Sequence, residues 1–192
     1  MSQLDKKELR QRLLAQRCSL SRTQWRQKSD RLCHQLRSSG LLAAPPKTVL
    51  AYFSIRQEPD LSPLFDPASG LDCRWGFPRC AGKALHWYAW SSGDALETNR
   101  YGIAEPCSNM PKIEAAEVDL ILVPAIACDI RGCRLGYGGG FYDRLLARPD
   151  WGRVPTVGIV FAEALLPHVP VDAWDRPLQK VCTDEKLHRV GE

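Results

Sequence analysis

The sequence predicts an α/β protein: a three-layer α/β/α sandwich with a mostly parallel central sheet and an N-terminal helical pair. Three observations carry that reading. Segments 118–127 (VDLILVPAIA) and 155–161 (PTVGIVF) are nearly continuous apolar runs, the pattern of strands covered on both faces by helices. The first forty residues hold two helix-start signatures and little strand-forming sequence. A glycine-rich stretch, 134–144 (RLGYGGGFYDR), follows the first apolar run, at the edge where open α/β sheets bind ligands.

The elements follow in order. Asp5 reads as an N-cap with Glu8 in the capping-box position, and Leu4 can staple onto Leu9. Leu9, Leu13 and Leu14 then form a narrow apolar stripe. The same grammar recurs where Ser21 caps, Gln24 sits three residues on and Leu20 can touch Trp25, opening a helix that runs to Ser38-Ser39-Gly40. After Pro45-Pro46, the run 48–54 (TVLAYFS) is short, apolar and rich in strand formers, as is 85–90 (LHWYAW). Helices fill 60–67 and 140–148, the second beginning where the glycines end. With no repeat, low-complexity tract or linker, residues 1–192 read as a single domain.

Composition narrows the function classes. No run of 18 or more apolar residues exists, and the amino terminus is charged within its first six residues with no hydrophobic signal core behind it, so the reading is a soluble, cytoplasmic protein with no membrane partner. The eight cysteines are irregularly spaced without a Cys-x-x-Cys pair, which weakens metal-finger and disulfide-scaffold readings. Cys128 and Cys133 flank the approach to the glycine loop as a conceivable redox pair, against the commoner fate of free cysteine as a small buried hydrophobe. The four histidines show no metal-ligand spacing. Charge is uneven: residues 1–40 hold ten Lys or Arg against three Asp or Glu, leaving −3 for the rest of a chain of net charge +4. That basic end invites an anionic partner, and with six tryptophans it keeps a nucleic-acid-binding module open as an alternative.

The glycine loop points elsewhere. Glycine lets backbone N–H groups converge with no Cβ in the way, and a helix following the loop aims its positive end at the same place, so the pair suits a phosphate. The stretch matches neither the nucleotide P-loop nor the dinucleotide fingerprint. Arg134 offers a fork of donors to phosphate oxygens, or a surface ion pair; Asp143 offers hard oxygen to Mg²⁺, or a helix-terminal acid. Phe141 and Tyr142 are either core plugs or stacking surfaces for a flat heterocycle.

The loop, preceded by 119–132 (DLILVPAIACDIRG), resembles the signature of the 5-formyltetrahydrofolate cyclo-ligase family, also called 5,10-methenyltetrahydrofolate synthetases. The resemblance extends to the Lys-x-x-x-Arg of Lys6 and Arg10, the Ser-x-x-x-Glu of Ser54 and Glu58, and Phe77-Pro78-Arg79. It implies an α/β sandwich that cyclises 5-formyltetrahydrofolate to 5,10-methenyltetrahydrofolate with ATP as co-substrate and Mg²⁺ as cofactor, releasing ADP and phosphate. It assigns Lys6, Arg10 and Arg134 to catalysis at the phosphates. The ATP site would comprise these three with Gly136, Gly138, Gly139, Gly140 and Tyr142. Phe53, Glu58, Tyr137 and Phe141 would hold the folate, and Asp143 and Asp175 the metal, although Gln179 stands where many members have an acid and Phe141 where many have tyrosine. The implied chemistry is phosphorylation of the formyl oxygen, and the implied partners are these small molecules, met by a monomer that takes no nucleic acid. Another reaction on the same scaffold is the third reading, because fold does not fix function.

Overall fold

The computed structural model describes residues 5–43, 47–100 and 102–191. The chain opens with α1 (Lys6–Cys18) and α2 (Arg22–Ser38). Asp5 caps α1 by accepting the Glu8 amide at 2.8 Å, and Ser21 and Gln24 close a reciprocal capping box on α2. Leu4, Pro45 and Pro46, on which a staple and a strand boundary were expected, lie outside the described residues.

The strands are β1 (Lys47–Leu50), β2 (Cys73–Ala81), β3 (Ala84–Ala89), β4 (Leu96–Thr98), β5 (Ala104–Pro106), β6 (Lys112–Ile113) and β7 (Leu120–Pro124). They continue with β8 (Ala127–Asp129), β9 (Arg134–Leu135), β10 (Thr156–Ile159), β11 (Leu165–Leu166), β12 (Lys180–Cys182) and β13 (Leu187–Arg189). Two short helices, α3 (Ser62–Phe65) and α4 (Phe141–Leu146), sit in the crossovers. The main sheet runs β13-β12-β10-β7-β1-β2-β3-β6. Its five inner strands, β12 to β2, are mutually parallel; β13 and β3 flank them antiparallel, and β6 pairs antiparallel with β3 at the edge.

Side-chain alternation explains the three layers. Leu120 and Leu122 of β7 face one core with Val49, Val157 and Ile159, under Leu32 and Leu36 of α2 and Leu64 of α3. Ile121 and Val123 face the other, with Leu50, Leu145 and Leu146 of α4, and Trp151. Every residue from Leu120 to Val123 is buried, so β7 reads as a solid apolar run. A third cluster joins Leu9 and Leu13 of α1 to Ile126, Ala127, Leu135 and Val169, covering the small sheet β11-β8-β9.

Several boundaries differ from the expectation. The run 118–127 splits into β7 and β8 at Pro124, and Ile126 then pairs through its amide with the Leu135 carbonyl in the small sheet; proline has no N–H to continue the ladder. Helix 60–67 shortens to α3 plus a 3₁₀ turn, Pro67–Ser69, because Pro63 and Pro67 each force a new start. Helix 140–148 is one and a half turns of α4, and the 48–54 strand stops at Leu50. β2 was unread because Gly76 and Pro78 interrupt its sequence.

Gly132 sits at φ +78° between β8 and β9, and a Cβ there would come within 2.0 Å of the Leu178 carbonyl oxygen. The Leu178 amide donates to the Gly132 carbonyl at 2.8 Å, so the two backbones are fixed at that distance. Gly132→Ala therefore lowers stability by about 2–4 kcal/mol, overpacking added to a left-handed backbone, read as a drop in the urea midpoint; an unchanged midpoint would contradict the close approach.

Candidate active site

The crossovers from β1 and β7 leave the sheet in opposite directions: β1 leads through α3 to β2 on one side, β7 through α4 to β10 on the other. Their carboxyl ends therefore part, and a crevice opens at this switch point. A cleft of about 830 Å³ occupies it. The fourteen residues singled out from the sequence all line it: Lys6 and Arg10 from α1, Phe53 and Glu58 beyond β1, Arg134 through Asp143 except Leu135, and Asp175 from the loop before β12.

The loop is shaped by its glycines and tied by arginines. Gly138 and Gly140 have φ of +95° and +62°, conformations that side chains resist. Arg10 Nε donates to the Gly136 carbonyl at 2.8 Å, and Arg144 Nη2 to that of Gly139 at 2.8 Å. Arg134 is buried on β9 beneath the loop. Its Nη2 donates to Asp143 Oδ1 at 2.6 Å, its guanidinium lies 5.6 Å from the Tyr142 ring centre, and its Nη1 is buried with no hydrogen-bond partner among the described residues. A buried donor left unmatched costs about 1–3 kcal/mol, and a phosphate oxygen would match it. Tyr142 packs edge-on against Trp87 in the core, as a core plug would, and also lines the cleft beneath Arg134.

The opposite wall is aromatic and carboxylic. Phe53 stacks on Phe77 at 4.2 Å and meets Trp90 edge-on. Arg56 and Gln57 both hold positive φ, +47° and +55°, in a turn that folds Glu58 back into the cleft. Two such residues cost about 1–2 kcal/mol each, and the turn is over-determined: the Glu58 carbonyl accepts from Trp25 Nε1 at 2.7 Å and Ser54 Oγ at 2.8 Å. Glu58 is buried, with Oε2 accepting the Ile55 amide at 3.1 Å. Burial raises its pKa, against which Arg17, the Ile55 amide and the Tyr137 hydroxyl all pull it down.

Of the cysteines, only Cys80 lines this cleft. All eight are free thiols; Cys128 is fully buried beside Gly158, and burial pushes its thiol up to about 12. The redox-pair alternative for Cys128 and Cys133 gives way to the small-hydrophobe reading.

The family model of 5-formyltetrahydrofolate cyclo-ligases matches residues 2–184. The chain belongs to that family. A 5-formyltetrahydrofolate cyclo-ligase of Mycolicibacterium smegmatis is 32% identical over 193 residues, covering 97% of both chains. One from Escherichia coli K12 is 30% identical, covering 80% of this chain and 88% of its own. The NMR structure of Aquifex aeolicus 5,10-methenyltetrahydrofolate synthetase superposes with a TM-score of 0.84 at 33% identity, over 97% of this chain and 93% of that one. The chain is thus a cyclo-ligase family enzyme, a ligase of folate chemistry on an α/β sheet. No described helix is long and apolar enough to cross a membrane.

Two cations of the cyclo-ligase cleft, Lys6 and Arg134, rest on carboxylates. Lys6 Nζ contacts Asp172 at 2.6 Å and Asp175; burial opposes the Lys6 charge, but the two carboxylates outweigh it and raise its pKa. Asp175 also accepts the Asp172 amide at 2.8 Å, and Asp143 Oδ1 the Arg176 amide at 3.3 Å, so the loop around Asp175 is stitched to the start of α4. Among the described residues no cluster of three or more His, Cys, Asp or Glu could hold a metal unaided. Asp143 and Asp175, two hard carboxylates in one cleft, nevertheless fit Mg²⁺, which takes one or two such ligands and completes its shell with other oxygens.

Sequence reasoning missed Arg17, Asp172 and Trp174. Arg17 was legible: Lys6, Arg10 and Arg17 at spacings of four and seven share one helix face. Asp172 and Trp174 carry no local signal, since only tertiary folding brings their loop to α1.

Burial opposes the Asp175 charge, yet Lys6 and the Asp172 amide hold its pKa below 3.8. A carboxylate with a depressed folded pKa stabilises the fold above its unfolded value and loses that contribution as pH falls through the folded one. Asp175→Asn should lower stability by about 1 kcal/mol at neutral pH, with the difference vanishing in denaturant titrations run at successively lower pH below 3.8. A difference that persists in strong acid would contradict the charge pairing.

Proposed function

We propose that this cleft converts 5-formyltetrahydrofolate and ATP to 5,10-methenyltetrahydrofolate, ADP and phosphate, in a monomer working in the cytoplasm. The observation that carries the reading is Arg134: a buried guanidinium with one arm on Asp143 and an unmatched Nη1, in the same cleft as the acceptor-lined Glu58 wall. A triphosphate suits the first, a pterin edge with its N–H donors the second. Glutamate, acceptor-only when ionised, complements that edge.

In the proposed reaction the formyl oxygen attacks the γ-phosphorus and ADP departs. The resulting imidoyl phosphate has an electrophilic carbon; N10 attacks it, phosphate leaves and the N10 proton is lost. Direct cyclisation would have to expel hydroxide. Phosphoryl transfer of this kind needs alignment and charge neutralisation more than a protein nucleophile. Arg134, with Lys6 and Arg10, would neutralise the phosphate oxygens, and Gly136, Gly138, Gly139 and Gly140 leave the loop backbone free to approach them. Tyr142 would support Arg134 from below. Phe53, Tyr137 and Phe141 would seat the folate against Glu58. Asp143 and Asp175 would hold Mg²⁺, which supplies charge neutralisation at the phosphates.

The test is near-ultraviolet absorbance of protein mixed with 5-formyltetrahydrofolate and Mg²⁺. The methenyl band should grow only when ATP is added; no growth from folded protein that binds ATP would overturn the reading. Arg134→Ala should fold and lose about 10²–10³-fold in turnover, the scale of a missing charge-stabilising donor, and a folded variant with unchanged kinetics would remove Arg134 from the site.

A further inference from the structure

Arg17 belongs to neither wall of the cleft by sequence, yet it reaches both. It leaves the last turn of α1 and is buried. Each arm of its guanidinium ends on a different segment: Nε donates to the Arg56 carbonyl at 3.1 Å, Nη1 to the Ala125 carbonyl at 3.1 Å, and Nη2 to the Tyr137 hydroxyl. These are the strained turn before Glu58, the chain leaving β7, and the glycine loop.

The hydroxyl contact sets a direction. A phenol has one hydrogen, so a Tyr137 oxygen that accepts from Arg17 keeps that hydrogen to donate, and the acceptor whose field it shares is the Glu58 carboxylate. An arginine–tyrosine–glutamate relay follows, with Glu58 Oε2 held separately by the Ile55 amide. We propose that Arg17 is a positioning residue for the folate half of the reaction, aiming the Tyr137 hydroxyl at Glu58 and locking the turn that presents the Glu58 carboxylate. The proposal rests on the reading that Glu58 and Tyr137 meet the folate.

Charge reinforces the geometry. The ionisable groups felt around Glu58 are Arg17 from α1, Arg56 from its own turn, Tyr137 from the glycine loop, Tyr52 beyond β1 and Tyr142 from α4. Burial drives the Glu58 pKa up, and Arg17 is the leading influence against it. Removing that charge lets the pKa climb further, so a carboxylate required as an acceptor fails at a higher pH.

Steady-state kinetics on three variants test this. Arg17→Met should raise the KM for 5-formyltetrahydrofolate about tenfold, the scale of a lost charge-assisted hydrogen bond, with the KM for ATP changed less than about twofold, and should move the acidic limb of the folate kcat/KM profile to higher pH. Arg17→Lys keeps the charge but cannot span three acceptors, so the limb should return while the raised folate KM persists. Tyr137→Phe breaks the relay without touching the buried cation and should move the limb in the same direction as Arg17→Met, which keeps the test alive if Arg17→Met fails to fold. Equal losses for both substrates with an unmoved limb would make Arg17 a purely structural residue and overturn the proposal. Glu58→Gln separates the two failures: if it leaves the folate KM unaltered, the folate assignment of that wall is wrong.

Discussion

The divergence of β1 and β7 is the constraint on which the molecule depends. Parallel neighbours whose crossovers run opposite ways must be joined by right-handed connections, so α3 falls on one face of the sheet and α4 on the other. The three layers and the crevice therefore have one origin. The same divergence decides which segments can meet: the chain beyond β1 brings Phe53 and Glu58, and the chain beyond β7 brings Arg134 and the glycine loop. The proposed site for two substrates that must react with each other is thus built from two strands that lie side by side and then part.

Four cations of the basic N-terminal segment pair with acids of this framework. Arg26 pairs with Asp60, Lys28 with Glu163 and Asp184, Arg31 with Asp184, and Lys6 with Asp172 and Asp175. Asp184 is buried and also accepts the Ala162 amide, so α2 is pinned to the chain beyond β10. Exposed pairs of this kind contribute little each, but a carboxylate held by two cations and a backbone amide is a specific anchor. The charge asymmetry along the sequence is the imprint of α1 and α2 docking on an acidic remainder.

What the sequence disclosed follows from the range of each signal. The caps at Asp5 and Ser21, the apolar run of β7 and the glycine loop are written within a few residues, and each is read locally. β2 was hidden because Gly76 and Pro78 argue against a strand, and both are explained only by neighbours. A Cβ on Gly76 would lie 2.5 Å from Leu50 Cδ2 and 2.7 Å from Ile113 Cδ1. Pro78 lies past Gly76, the last residue of β2 that pairs with β1, so its missing N–H removes no bond from that ladder. The site residues were found as scattered short motifs; the Lys6–Asp172 contact, spanning most of the chain, had no local trace.

The cleft also shows how a concentration of charge is kept stable inside a fold. On the glycine-loop side Lys6, Arg10 and Arg134 face Asp143, Asp172 and Asp175, while Arg56, Glu58 and Glu105 line the rest of the cleft. Lys6 and Arg134 have side chains mostly withdrawn from solvent and each rests on an internal acid, whereas removing one member of such a pair would leave an uncompensated charge. Balance of this kind suits a triphosphate arriving with its divalent cation, since the cations and the carboxylates each have a counterpart in that ligand. Arg134 embodies the compromise: one arm is neutralised by Asp143, and the other, Nη1, is buried and unmatched. The acid keeps the buried guanidinium tolerable, and the unmatched arm is where binding an anion adds an interaction the protein alone does not make.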